Sequence, residues 1–135
     1  MALTRMQLSQ QQVRRLWRAA GYLLVAAVIV LSLVPDAPTP DRRGADKFGH
    51  LLAYGTLMLW FAQIHLRSKW LGVALLFTAM GVALEYAQGL LGARTFSLAD
   101  MLANVAGVAI GWLAARAGCD GLLARVERWL GAART

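Results

Sequence analysis

A chain of 135 residues is long enough for one domain, but 59% of its residues are hydrophobic, against about 45–50% in soluble domains. Charged residues make up only 16%, and they gather between long uncharged stretches instead of recurring along one face of each helix. The composition therefore excludes an ordinary soluble fold. The net charge of +7 would suit a nucleic-acid-binding protein, but no basic motif interleaved with aromatic residues is present, so we expect no nucleic-acid partner.

Four stretches contain the roughly 20 mostly apolar residues that a membrane-spanning helix needs, at residues 17–34, 48–65, 70–91 and 98–115. Pro35, Pro38 and Pro40 end the first stretch, because proline cannot continue a helix. The pattern predicts an all-α, polytopic membrane protein of about four transmembrane helices in one bundle, with a single domain over residues 1–135. The first stretch also has features of a signal peptide, yet no A-x-A-like cleavage site follows it, and we interpret it as an uncleaved helix.

The second predicted helix carries a polar stripe near its beginning. Asp46, His50 and Tyr54 recur every four residues, and Lys47 flanks them. At about 100° per residue, these four side chains occupy one face of the helix. Ionisable residues are costly inside a bilayer, so the stripe predicts a functional site or a structural network.

The next two helices each carry a polar face at a similar depth. Glu85 and Gln88 lie near the end of the third helix, Asp100 and Asn104 lie near the start of the fourth, and Arg94 falls in the loop between them. By the rise per residue, all lie within about 10 Å of the same ends of their helices. We predict that they join the stripe of the second helix in one polar pocket, with Arg94 at its rim.

Small residues recur at a spacing of four along the last predicted helix, and they include the G-x-x-x-G pair Gly107 and Gly111. Such a row lets two helix backbones approach closely. We favour packing within the bundle, and a homo-oligomer through the same face remains the alternative.

The carboxyl-terminal residues 120–132 predict a short amphipathic helix, with its apolar residues on one face and Arg125 and Arg128 beside them. The apolar residues are Leu122, Leu123, Val126, Trp129 and Leu130. This helix either lies on the inner leaflet or packs against the base of the bundle.

The distribution of Lys and Arg predicts the orientation of the chain. Ten of the 14 basic residues fall on the side of the bundle that holds both termini, and basic residues concentrate on the cytoplasmic side of membranes. Both termini are therefore expected in the cytoplasm, and the polar pocket is expected to face outward.

The ordered polar residues resemble the VanZ-like family, relatives of the teicoplanin-resistance membrane protein. The resemblance rests on Asp46-Lys47-x-x-His50-x-x-x-Tyr54, Glu85-x-x-Gln88, Arg94-x-Phe96-Ser97 and Asp100-x-x-x-Asn104-x-x-Gly107-x-x-x-Gly111. It implies a small multi-pass protein of the bacterial cytoplasmic membrane. It implies no reaction, and antibiotic resistance is not carried over to this chain.

Three functions fit these residues. The first is a binding module for a cell-envelope component, such as a lipid-linked precursor, a lipid headgroup or a glycopeptide antibiotic. In that module Arg94 and Lys47 would hold a phosphate or carboxylate, Gln88 and Asn104 would form hydrogen bonds, and Tyr54 would line the wall.

The second function is an intramembrane enzyme acting on a phosphoryl or acyl group of an envelope lipid, with His50, Glu85 and Asp100 as catalytic candidates. No hydrolase motif or phosphate-binding loop supports it, so whether the chain is an enzyme stays open. A divalent metal held by Asp46, His50, Glu85 and Asp100 is a weaker variant, and we expect neither metal nor cofactor. The third function is structural, with the polar residues fixing helix packing.

Overall fold

The computed structural model of the chain describes residues 9–35, 43–92 and 95–130. This part of the chain contains five α-helices, two short 3-10 turns at Arg67–Lys69 and Cys119–Gly121, and no strand. The helices are α1 (Gln10–Leu33), α2 (Arg43–Ala62), α3 (Trp70–Leu90), α4 (Leu98–Arg116) and α5 (Leu122–Trp129). The prediction of an all-α fold is confirmed.

Two of the observed helices, α1 and α2, extend beyond the predicted spans at their amino-terminal ends, whereas α3 and α4 begin where predicted. Helix α1 begins at Gln10 instead of residue 17, because Ser9 and Gln12 form a capping box in which each side chain accepts a hydrogen bond from the other's backbone N–H. Helix α2 begins at Arg43 and includes Asp46 and Lys47. Hydropathy finds the apolar part of a spanning helix, whereas the helix itself continues past that part.

Three stretches of helix in the described part are long and apolar enough to cross a membrane: Gln10–Leu33, Arg67–Leu90 and Leu98–Arg116, with mean hydropathies of 2.0, 1.6 and 1.6. Large apolar side chains on their outer surfaces are exposed, among them Leu23, Leu31, Leu76 and Leu102. Such a surface is suited to lipid and not to water. The chain is therefore a multi-span membrane protein.

Helix α2 is less apolar than these three stretches because of its polar stripe, but it lies at the centre of the bundle. Its buried residues Tyr54, Leu57, Met58 and Phe61 make up much of the core, and the Phe61 ring meets Phe77 of α3 edge to face at 5.3 Å. The polar residues of α2 therefore lie on a helix that packs against α1, α3 and α4.

Helices α2 and α4 run parallel and in close contact. A Cβ atom built on Gly107 would overlap the Leu51 carbonyl oxygen and lie 3.1 Å from the Gly55 nitrogen, and one built on Gly111 would overlap the Gly55 carbonyl oxygen. Only glycine fits at these two positions of α4. The structure therefore places Gly107 and Gly111 against α2, within the bundle.

The two ends of the bundle differ in charge. At the end where α1 and α3 begin, here called the basic end, eight basic and two acidic residues are described. They are Arg14, Arg15, Arg18, Arg67, Lys69, Arg116, Arg125 and Arg128, with Asp120 and Glu127. At the opposite end, here called the polar end, α2 and α4 begin and the residues of the predicted pocket are found.

The amphipathic tail helix α5 packs against the base of the bundle at the basic end. Gln63, directly after α2, accepts a hydrogen bond from the Leu122 N–H at 2.9 Å, and Arg14 of α1 donates to the nearly buried Glu127 carboxylate at 2.8 Å. Leu123 is buried, whereas Trp129 is 84% exposed. The apolar face of the tail is therefore divided, because residues around Leu123 meet the bundle and Trp129 lies outside that contact.

Candidate functional site

The polar stripe of α2 lies where α2 faces α4, and two contacts join the helices there. The His50 Nδ1 atom lies 3.0 Å from the Asn104 Oδ1 atom. The Lys47 ammonium lies 3.7 Å from the Asp100 carboxylate, which is an ion-pair distance longer than a hydrogen bond. These pairs come from residues that the sequence predicts to share a site, and they have the same order along both helices.

The close approach of α2, α3 and α4 depends on a third glycine. A Cβ atom on Gly81 of α3 would lie 3.0 Å from Asn104 Nδ2 and 3.1 Å from the Tyr54 ring. Tyr54 and Asn104 are 1% and 3% exposed. Gly81 therefore leaves the space in which the side chains of α2 and α4 pack against α3.

Glu85 connects α3 to the beginning of α4. This side chain is 2% exposed, and its Oε1 atom accepts a hydrogen bond from the Ser97 backbone N–H at 2.7 Å. Ser97 is also the N-cap of α4, since its hydroxyl accepts from the Asp100 N–H at 3.2 Å. Glu85 thus places a carboxylate at the amino-terminal end of α4, where the helix dipole favours negative charge.

Gln88 connects α3 to α1. Its buried amide donates a hydrogen bond to the Ser32 backbone carbonyl oxygen near the end of α1. Together, His50, Tyr54, Glu85, Gln88 and Asn104 form what we call the polar layer, which lies inside the bundle and reaches all four long helices. The layer is packed, so most of its members do not line an open space.

An open cleft lies beside the polar layer, between α2 and the end of α1. Its volume is about 240 Å³. Val28, Leu31 and Ser32 of α1 form one wall, and the second wall comes from α2 with Ala45, Asp46, Gly49, His50, Ala53 and Tyr54. The cleft therefore joins an apolar surface to the exposed part of the polar stripe.

The structure separates the predicted site residues into two groups. Asp46, His50 and Tyr54 line the cleft, whereas Glu85, Gln88 and Asn104 lie in the packed interior. Lys47 and Asp100 pair at the edge of the polar layer. Arg94, predicted at the rim of the pocket, lies outside the described residues.

The three catalytic candidates contact different groups within the described part of the chain. His50 meets Asn104, Glu85 accepts from the Ser97 backbone, and Asp100 pairs with Lys47. In the described residues no group of three or more His, Cys, Asp or Glu side chains is arranged to hold a metal ion. The geometry there consists of pairwise contacts between helices.

Two contributions to the site were missed by the sequence analysis. The wall that α1 provides, with Val28, Leu31 and the Ser32 carbonyl, has no polar pattern that would single it out. Ser97 as the partner of Glu85 has a recognisable signal, because a serine three residues before Asp100 is typical of an N-cap.

Comparison with known proteins agrees with the resemblance found in the sequence. The model of the VanZ/LLP1 family matches residues 3–122, which include the first four described helices and end at the first residue of α5. No match was found among curated proteins or among solved structures. The predicted resemblance is confirmed over nearly the whole chain, and this multi-span membrane protein belongs to the VanZ/LLP1 family.

Proposed function

We propose that the chain binds an amphiphilic component of the bacterial cell envelope in the cleft between α1 and α2. The candidates named by the sequence analysis are a lipid-linked precursor, a lipid headgroup and a glycopeptide. The observation that carries the proposal is the composition of the cleft, with Val28 and Leu31 on one wall and Asp46 and His50 on the other. An apolar wall facing a few polar groups is the usual form of a site for a molecule of mixed polarity.

The polar wall of the cleft favours a headgroup that donates hydrogen bonds. Asp46 supplies carboxylate oxygens, which accept hydrogen bonds. The Asn104 carbonyl oxygen faces His50 Nδ1, so Nδ1 donates to it, and the Nε2 atom of a neutral ring is then an acceptor. Hydroxyl and amine groups, which are common in envelope sugars and lipid headgroups, satisfy both acceptors.

The charge distribution supports a cleft that faces outward across the bacterial cytoplasmic membrane. Eight described basic residues lie at the basic end, and the cleft lies at the polar end. Because basic residues concentrate on the cytoplasmic side, this distribution favours cytoplasmic termini and an outward cleft. An outward cleft is accessible to precursors and lipids of the outer leaflet.

The polar layer suits a structural function better than direct contact with a ligand. Glu85, Gln88 and Asn104 are 1–3% exposed, and each contacts a group on another helix. We infer that the contacts of Glu85 and Gln88 fix the packing of α1, α3 and α4, and that the contact of Asn104 with His50 holds α2 in the register that presents Asp46 and His50 to the cleft. The structural hypothesis and the binding hypothesis then describe different residues of the same site.

Filling the cleft tests the proposal. Gly49 lines the cleft, and no atom lies within 4 Å of a Cβ atom built there, so Gly49→Phe places a ring in open space. Gly72 of α3 is exposed and equally open, which makes Gly72→Phe the matched control. After gentle extraction, native mass spectrometry is expected to find a bound envelope amphiphile on the wild type and on Gly72→Phe, and to find it lost from Gly49→Phe.

Two results would contradict this function. One is the absence of any retained amphiphile on the folded wild-type protein. The other is equal retention by Gly49→Phe, since that would place the bound molecule elsewhere. An Asp46→Asn variant, which keeps the size of the side chain, is expected to retain less ligand without a change in thermal stability.

A further inference from the structure

A second concave surface lies at the basic end, between α1, α2 and α5. This surface, which we call the basal groove, has a volume of about 240 Å³. Its lining is almost entirely apolar, with Val13, Leu16 and Ala20 on α1, Val126 on α5 and Leu130 at the C-cap of α5. It is separate from the cleft, since the two share no residue.

Two tryptophans form the floor of the basal groove. The rings of Trp17 and Trp60 are stacked, with centroids 4.0 Å apart and planes at 10°, and Trp60 Nε1 donates a hydrogen bond to the Trp17 carbonyl oxygen at 3.0 Å. This pair presents a flat and rigid apolar surface. Leu16 on the rim is 60% exposed, so the groove is open to its surroundings.

Basic residues flank the groove on two helices. Arg14 follows the groove residue Val13, and Arg125 precedes the groove residue Val126. Glu127 holds the Nε atom of Arg14, which fixes the position of that guanidinium while 59% of the side chain stays exposed. Arg125 is exposed and forms no ion pair with any described acid.

The acids at this end are already paired within the described part of the chain. Glu127 accepts from Arg14, and Asp120 accepts from Arg67 at 2.9 Å. The surroundings of the groove are therefore strongly positive. An apolar groove with a positive rim is complementary to an amphiphile with a negatively charged headgroup.

We propose that the basal groove binds an anionic phospholipid, with one acyl chain against Trp17 and Trp60 and the phosphate held by Arg14 and Arg125. Trp129 on α5 is exposed at the same end of the bundle, and tryptophan is enriched at membrane interfaces. This site differs from the cleft in location and in charge, so it does not rest on the function proposed above.

A substitution on α1 that fills the groove tests the proposal directly. Ala20→Phe fills it, whereas Ala19→Phe adds the same ring to the exposed neighbouring face of α1. The full chain in detergent is mixed with phosphatidylglycerol or phosphatidylcholine and examined by native mass spectrometry. The wild type and Ala19→Phe are expected to retain one phosphatidylglycerol in preference to phosphatidylcholine, and Ala20→Phe is expected to lose that preference.

The charge of the rim is tested separately. Arg125→Gln is expected to lower phosphatidylglycerol retention about fivefold, the effect of one basic residue on attraction to an anionic lipid surface. Arg128→Gln removes the same charge from the same helix, but Arg128 lies about 180° from the centre of the groove and Arg125 about 120°, so this variant is expected to change retention less. Equal losses in both variants would show general electrostatic attraction and overturn the proposal.

Quenching of the tryptophan fluorescence of the wild-type protein tests the lipid site without any variant. Phosphatidylglycerol with brominated acyl chains, at low fraction in phosphatidylcholine, is expected to quench tryptophan fluorescence saturably, and more than brominated phosphatidylcholine does. Equal quenching by the two lipids, or equal lipid retention by Ala20→Phe and the wild type, would overturn the site.

Discussion

The polar end and the basic end of the bundle use polar residues in different ways. At the polar end, Glu85, Gln88 and Asn104 are nearly completely buried and contact other helices within an apolar interior. At the basic end, Arg67 pairs with Asp120 at an exposed surface, with 67% of the Arg67 side chain accessible. A buried polar group that loses its partner is costly, whereas water replaces a lost partner at the surface. The polar end therefore contributes to helix register, whereas the basic end leaves its cations exposed.

The largest effect is expected where the backbones of α2 and α4 are in contact. Gly111→Val would place a side chain against the Gly55 carbonyl oxygen and within 3.0 Å of the Met58 Cβ atom. We expect a loss near the upper limit of the roughly 1–3 kcal/mol that overpacking costs, measured as the free energy of unfolding in detergent. Gly72→Val, at an open position of α3, is the control. Similar losses in both variants would mean that α2 and α4 do not depend on their close approach.

Removal of the buried carboxylate is expected to have the next largest effect. Glu85→Ala leaves the Ser97 N–H without its acceptor, and a hydrogen bond to a charged group contributes about 1.5–3 kcal/mol. Glu85→Gln retains a carbonyl oxygen at the same place, so it is expected to recover part of the loss. Thermal unfolding of both variants measures this difference, and an Ala variant as stable as the Gln variant would contradict the role assigned to Glu85.

A smaller coupling is expected between His50 and Asn104. A double-mutant cycle with His50→Ala and Asn104→Ala removes the packing contributions and leaves the energy of the contact between the two side chains. Side-chain hydrogen bonds between transmembrane helices average about 0.6 kcal/mol, and we expect a value of this size. Because the contact is partly buried, added salt is expected to leave the coupling unchanged. A coupling energy of zero would show that this contact does not stabilise the polar layer.

The smallest effect is expected at the surface of the basic end. A cycle with Arg67→Gln and Asp120→Asn is expected to give a coupling of no more than about 0.5 kcal/mol, because both partners are hydrated in the unfolded chain and Arg67 remains largely exposed. Raising the salt concentration screens this pair and is expected to lower the coupling further. A larger coupling here than between His50 and Asn104 would reverse the comparison between the two ends.

Several features of the site were accessible from the sequence because they depend on helical periodicity. The spacing of Asp46, His50 and Tyr54 places them on one face of any α-helix, and the same holds for Asp100 and Asn104. The contacts between His50 and Asn104 and between Lys47 and Asp100 then follow from parallel packing of the two helices. Periodicity alone leaves open which face meets which neighbour, so the pocket predicted among α2, α3 and α4 could not be distinguished from a packed layer.

The sequence by itself determined the membrane-spanning class, the number and approximate bounds of the helices, and the polar residues of α2, α3 and α4, because hydropathy, capping signals and periodicity are local properties. The tertiary structure alone decided three other features. Glycines at 81, 107 and 111 let the helices approach so closely that Glu85, Gln88 and Asn104 are enclosed. Helix α1, which has no polar pattern near its end, supplies the second wall of the cleft. Helix α5 turns Leu123 inward and leaves Trp129 outside, because contact with α1 and α2 selects one side of an amphipathic helix.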